Sequence, residues 1–191
     1  MLNRYHRWIF IHLEKTGGTS LTSCLETETA EPMSKRVRHW GIKEHIENYN
    51  IIPSDYFIFS IIRNPWDRLV SWYYHLLANN KFFMRVNNIT CFNDLVKNLP
   101  DYIKSSTAHE RYCINDNSLI NYVLKYENLE QDVKTLSQKI NLTTTDMPRY
   151  AHDTNRPRHI FYQDYYSTYS KDLVAELFQW EISLFNYKFE K

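Results

Sequence analysis

The chain has 191 residues and a formal net charge of +1, with 43% hydrophobic and 16% aromatic residues. That length supports one α/β domain with a real core, and not comfortably two. A near-neutral chain supplies no global field to recruit nucleic acid, and no apolar run approaches the roughly 20 residues of a membrane span.

The first element is a short apolar run, Trp8 to Leu13 (WIFIHL), which reads as a buried strand. It runs into HLEKTGGTSL, His12 to Leu21, and then into a helix expected from Ser20 to Glu28 with Leu21 and Leu25 on one face. Strand, glycine turn and helix N-terminus together make an anion site, because exposed N–H groups and the positive end of a helix dipole converge there. The chain has only three glycines, and two of them, Gly17 and Gly18, lie in this loop. A Walker A loop carries its lysine after the glycines. Here Lys15 precedes them, and Thr19 and Ser20 follow. Such a loop can hold a phosphate by backbone amides, hydroxyls and one lysine, with no metal required.

Thr29 to Ser34 reads as a linker, and Lys35 to Gly41 (KRVRHWG) as a short basic stretch. Ile42 to Tyr49 is expected to be a helix, closed by Asn50 and Pro53. Tyr56 to Ile62 (YFIFSII) is the second buried strand, apolar, β-branched and aromatic. It meets RNPWDRLVSWYYH, where Asn64 can cap a helix and Pro65 suits its first turn. Ligands of a parallel sheet lie at the carboxyl ends of its strands. Two such mouths, one at Lys15 and one at Arg63, therefore point to a ligand with two separated anionic groups.

Further on, Phe92 to Leu99 reads as a short helix and Pro100 to His109 as a loop. Leu119 to Lys125 reads as a third strand, followed by Tyr126-Glu127-Asn128-Leu129 and a helix to about Lys139. Asn141 to Asp146 is polar and loop-like, and Met147 to Tyr166 is basic and aromatic. Ser170 is expected to cap a long helix, Lys171 to Phe185, with Leu173, Leu177, Trp180 and Leu184 facing the core. Cys24, Cys91 and Cys113 are widely spaced, which argues against a zinc site and a disulfide framework. They favour a reducing compartment, and with no signal-peptide h-region at the start the expected location is the cytoplasm. The Asn88 and Asn141 glycosylation triplets then read as chance.

HLEKTGGTSL resembles the 5′-phosphosulfate loop of sulfotransferases that use 3′-phosphoadenosine 5′-phosphosulfate (PAPS), and is nearest to the carbohydrate O-sulfotransferase branch. Glu14 stands where that branch usually has proline. RNPWDRLVS resembles the 3′-phosphate motif of the same enzymes. The resemblance implies a single P-loop-like α/β domain over residues 1–191, with a central parallel sheet flanked by helices. It implies that Lys15, Thr16, Gly17, Gly18, Thr19 and Ser20 hold the 5′ end of PAPS and that Arg63 and Ser71 hold the 3′-phosphate. The product would be 3′-phosphoadenosine 5′-phosphate, the acceptor a carbohydrate or other small molecule, and no metal would take part. In the related enzymes a segment at Met147 to Tyr166 closes over cofactor or acceptor; a solvated basic loop is an equal reading here.

Sulfuryl transfer needs positive charge at the leaving phosphate, which Lys15 can supply, and a base for the acceptor proton. His39 is the candidate base. It lies between the first two helices, where the resembling enzymes carry a catalytic histidine, and an imidazole titrating near about 6.5 suits the task. His45 and Glu44 are reserves, while His12 is expected in the core, and His6, His75 and His109 have no motif context. The alternatives are a nucleotide phosphotransferase, disfavoured by the lysine order, and a nucleotide-binding regulator that has lost transfer.

Overall fold

The computed structural model describes residues 1–26, 37–102, 107–143, 145, 147, 156–157 and 159–190. The expected linker Thr29 to Ser34, residues Lys35 and Arg36, and Arg149 and Arg158 lie outside them, as does the end of the first helix at Glu28. In chain order the elements are β1 (Leu2–Asn3), β2 (Trp8–Ile11), α1 (Gly18–Glu26), α2 (Ile42–Tyr49), β3 (Phe57–Ile62), α3 (Pro65–Asn79) and α4 (Lys81–Val86). There follow α5 (Phe92–Lys97), α6 (Leu99–Tyr102), α7 (Ala108–Tyr112), β4 (Cys113–Ile114), β5 (Asn117–Ser118), β6 (Tyr122–Lys125), α8 (Leu129–Ile140), α9 (Thr168–Leu177) and α10 (Gln179–Phe185). They fall into two compact units, Met1–Arg63 with Ala108–Ala151 and Asn64–Thr107 with His152–Lys191.

The first unit holds a sheet of order β1-β2-β3-β6. β2, β3 and β6 run parallel, whereas β1 pairs β2 antiparallel, so the expected parallel sheet gains an antiparallel edge. Every residue of β2 is fully buried, as its unbroken apolar run requires of a strand covered on both faces. Trp8, Phe10, Phe59 and Ile61 share a core with Leu21 and Leu25 of α1 and Val133, Leu136 and Ile140 of α8. Each such side chain stabilises the fold by about 1.5–3 kcal/mol on burial. Ser60 of β3 is buried too, but its hydroxyl donates to the Ile11 carbonyl at 2.5 Å and accepts from the Tyr112 hydroxyl at 2.8 Å. That bond fixes α7 against the sheet.

Strand ends differ from the sequence reading for local reasons. The first strand stops at Ile11 rather than Leu13 because the next two carbonyls serve side chains: that of His12 meets His39, and that of Leu13 meets Thr16. The third begins at Tyr122, not Leu119, since Leu119 bonds back to Tyr112 and the Asn121 amide oxygen accepts from Ile58 N–H at 2.6 Å.

In the second unit Asn64 caps α3 by accepting from Trp66 N–H at 3.1 Å, with Pro65 in the first turn. Trp66, Leu69 and Val70 pack with Phe92, Val96, Leu99, Val174 and Phe178. The expected loop at Pro100 to His109 instead carries α6, with Pro100 tolerated in its first turn, and the start of α7 in the first unit. The expected single helix Lys171 to Phe185 is two, α9 and α10, separated at Phe178. The cap is Ser167, and Ser170 is the third residue inward, closing a reciprocal pair with it. The inward stripe also shifts: Val174, Phe178 and Glu181 are buried and Leu184 is exposed, because Glu181 turns in to meet Arg68 at 3.5 Å.

Candidate functional site

The sheet register assembles the site. β2 and β3 are paired Ile11 to Ser60, and β3 and β6 are paired Ile62 to Lys125. The residues that follow the three strands, the Lys15 loop, Arg63 and Tyr126, therefore emerge side by side at the carboxyl edge. The guanidinium of Arg63 donates to the Lys15 carbonyl at 3.0 Å and stacks 4.1 Å over the Tyr126 ring. Only 7% of Arg63 is exposed.

The loop itself is tightly determined. Lys15 has φ 63 and Gly17 φ 85. A positive φ is ordinary for glycine and costs a lysine about 1 kcal/mol or more. Arg63 holds the Lys15 carbonyl in that unusual orientation. Gly18 begins α1, and a Cβ there would lie 2.2 Å from the His12 ring, so no larger residue fits. The Thr16 side chain points inward and its hydroxyl donates to the Leu13 carbonyl at 2.9 Å, while Ser20 N–H closes the turn on Gly17 at 3.1 Å. The first N–H groups of a helix have no carbonyl four residues back within it to bond, and in α1 Ser20 N–H turns instead to Gly17. The loop is thus a rigid set of amide donors beside one lysine and one arginine, able to receive an anion.

His39 lies against this loop. Its Nδ1 donates to the His12 carbonyl at 3.2 Å and stands 3.6 Å from the Glu14 carboxylate. Arg111 of α7 reaches the same Glu14 oxygen at 3.5 Å and donates to the His39 carbonyl. The His12 ring lies 4.8 Å from that of His39. Burial, and then the neighbouring His39 and Arg38, hold His12 well below the usual imidazole range, so it stays neutral in the core.

The reserve bases have other duties. His45 is buried in α2, its Nδ1 donating to the Gly41 carbonyl at 2.8 Å, and burial above all pushes it down to about 3. Glu44 caps that helix by accepting from Gly41 N–H at 2.9 Å. Ser71 is buried on α3 in the second unit. Among the described residues no group of three or more His, Cys, Asp or Glu side chains could hold a metal ion, and no helix is long and apolar enough to cross a membrane.

Three partners of the site were not visible in the sequence: Arg111, 97 positions along the chain from Glu14, Tyr126 as a platform for Arg63, and Glu14 as a neighbour of His39. Only Glu14 left a signal, as an acidic residue beside an anion loop.

The sulfotransferase family model matches residues 1–188 of the chain, and so spans both units. The chain belongs to the sulfotransferase family. No curated protein and no solved structure matches it significantly. Membership of the family supports sulfuryl transfer in general.

Proposed function

We propose that this sulfotransferase-family chain moves a sulfuryl group from PAPS to a hydroxyl of a carbohydrate or another small-molecule acceptor. The observation that carries the reading is the bond between Arg63 and the Lys15 carbonyl, which sets a second cation against a loop already shaped for one phosphate. A nucleotide with phosphates at both 3′ and 5′ positions matches two cationic mouths on one sheet edge. Arg63 would meet the 3′-phosphate, and the amides of Thr16 to Ser20 with Lys15 would meet the phosphosulfate. The expectation that Ser71 also serves the 3′-phosphate is carried as part of the same proposal.

In the proposed reaction the acceptor oxygen attacks sulfur in line, the new S–O bond forms as the bond to the 5′-phosphate oxygen breaks, and that oxygen keeps the electron pair. Lys15 neutralises the charge developing on it. His39 Nε2 takes the acceptor proton, because its Nδ1 is committed to the His12 carbonyl. A nucleotide phosphotransferase is less well supported, since Lys15 precedes the glycines and β3 is followed by arginine rather than an acidic residue. The experiment is an acceptor screen with ³⁵S-labelled PAPS, covering mono- and oligosaccharides and small alcohols. Label transferred to a hydroxyl supports the proposal; label released only as free sulfate opposes it.

A further inference from the structure

The site contains a carboxylate that the transfer scheme does not use. Glu14 occupies the loop position where proline is usual in the resembling enzymes, and an acidic side chain beside an anion loop works against phosphate binding unless its charge has another use. Its Oε1 lies between two groups, 3.6 Å from His39 Nδ1 and 3.5 Å from an Arg111 nitrogen. The arrangement is braced from several sides. Arg111 also bonds the His39 carbonyl, and its backbone lies so close to Gly41 that a Cβ there would be 3.0 Å from the Arg111 Cα. Tyr112, the next residue, is anchored on Ser60 inside the sheet.

We propose that Glu14 is a positioning residue for His39, serving as the counter-charge of the imidazolium that forms when Nε2 takes the acceptor proton. This rests on the reading of His39 as the base. The His12 carbonyl selects the tautomer by accepting from Nδ1. Glu14, slightly too far for a hydrogen bond in this state, stabilises the charged ring electrostatically. Arg111 holds the carboxylate in place and keeps it from turning toward the phosphates. The His12 ring, 4.8 Å from that of His39, is kept neutral by burial, and Arg111 bonds both the His39 carbonyl and the Glu14 oxygen. Glu14 is thus the only negative group within ion-pair distance of His39 among the described residues. Half-exposed pairs are weak, so the effect is graded rather than absolute.

The test uses the full chain and two readouts. ¹⁵N spectra of the imidazole rings should show His39 protonated on Nδ1 near neutral pH. In Glu14→Gln its ring should take up the second proton only at lower pH than in the wild type. With an acceptor that turns over, Glu14→Gln should lower kcat about two- to fivefold with KM for PAPS nearly unchanged, and shift the acid limb of the rate profile in the same direction. Glu14→Asp, which keeps the charge, should recover part of the loss. An Nε2-protonated ring, or a His39 titration unmoved by Glu14→Gln, overturns the pairing. Failure of the wild-type chain to transfer label from PAPS overturns the transfer reading instead, and the spectra distinguish the two failures because they need no turnover.

Discussion

Arg63 donates to the carbonyl of Lys15 at 3.0 Å, and so ties the end of β3 to the loop that follows β2. The arginine proposed to meet a 3′-phosphate is at the same time a brace for the loop proposed to hold the 5′ end. The two proposed phosphate mouths would then act as one mechanical unit.

That coupling predicts more than a lost ligand. Arg63→Ala should weaken binding of adenosine 3′,5′-bisphosphate by about 1.5–3 kcal/mol, the worth of a charge-assisted contact. It should also weaken AMP, which has no 3′-phosphate, through the loosened Lys15 carbonyl. Arg63→Lys should rescue neither fully, because lysine lacks the planar fork and the stack on Tyr126. Calorimetry on both nucleotides checks this, and unchanged AMP affinity in Arg63→Ala would show the brace to be idle.

The glycines give a stability prediction. Gly18→Ala drives a methyl into the His12 ring and should cost about 1–3 kcal/mol, as overpacking does. Adding His12→Ala should return part of that cost, a coupling measurable in a double-mutant denaturation cycle. Strict additivity of the two changes would refute the contact.

Lys15 and His39 should separate kinetically. His39→Ala should lower kcat by about 10²–10⁴-fold and leave PAPS affinity nearly intact, because a base helps only the transition state. Lys15→Ala should weaken PAPS binding and slow transfer together, since in the proposed scheme its charge meets the phosphosulfate in both states. Near-full activity of His39→Ala would remove it as the base.

Acid stability follows from two buried histidines. His12 is held well below its ordinary value and His45 at about 3. Both are neutral when folded, whereas an unfolded chain takes up their protons as pH falls through about 6.5. The unfolded state then binds more protons, so stability falls with pH from that point down toward the folded values. Urea midpoints should decline as pH falls below about 6.5, and His45→Gln should make the decline shallower. A midpoint independent of pH between neutrality and pH 5 would contradict this.

The parts of the architecture that rest on continuous apolar runs were legible in the sequence. β2, β3 and α2 appear within two residues of their expected ends, because burial on both faces of a parallel strand, or an Asn50 closing a helix in the left-handed region, leaves a local mark. What local pattern does not carry is partnership. β1 and the Cys113–Ser118 hairpin are two-residue strands with no periodicity to read. The burial of Glu181 just past the helix break at Phe178 is matched by Arg68, a partner far away in the chain. The site divides in the same way: loop, lysine and arginine are set by motif and register, while Arg111 reaches Glu14 only through the fold.

The central claim is that one nucleotide with two separate phosphates occupies the Lys15 loop and the Arg63 mouth. The most direct measurement is isothermal calorimetry on the wild-type chain with adenosine 3′,5′-bisphosphate, AMP and ATP, in EDTA. The bisphosphate should bind about 10- to 150-fold more tightly than AMP, the equivalent of one charge-assisted phosphate contact, and chelation should not weaken it. Equal affinity for AMP and the bisphosphate, or tight ATP binding that depends on added magnesium, would contradict the account.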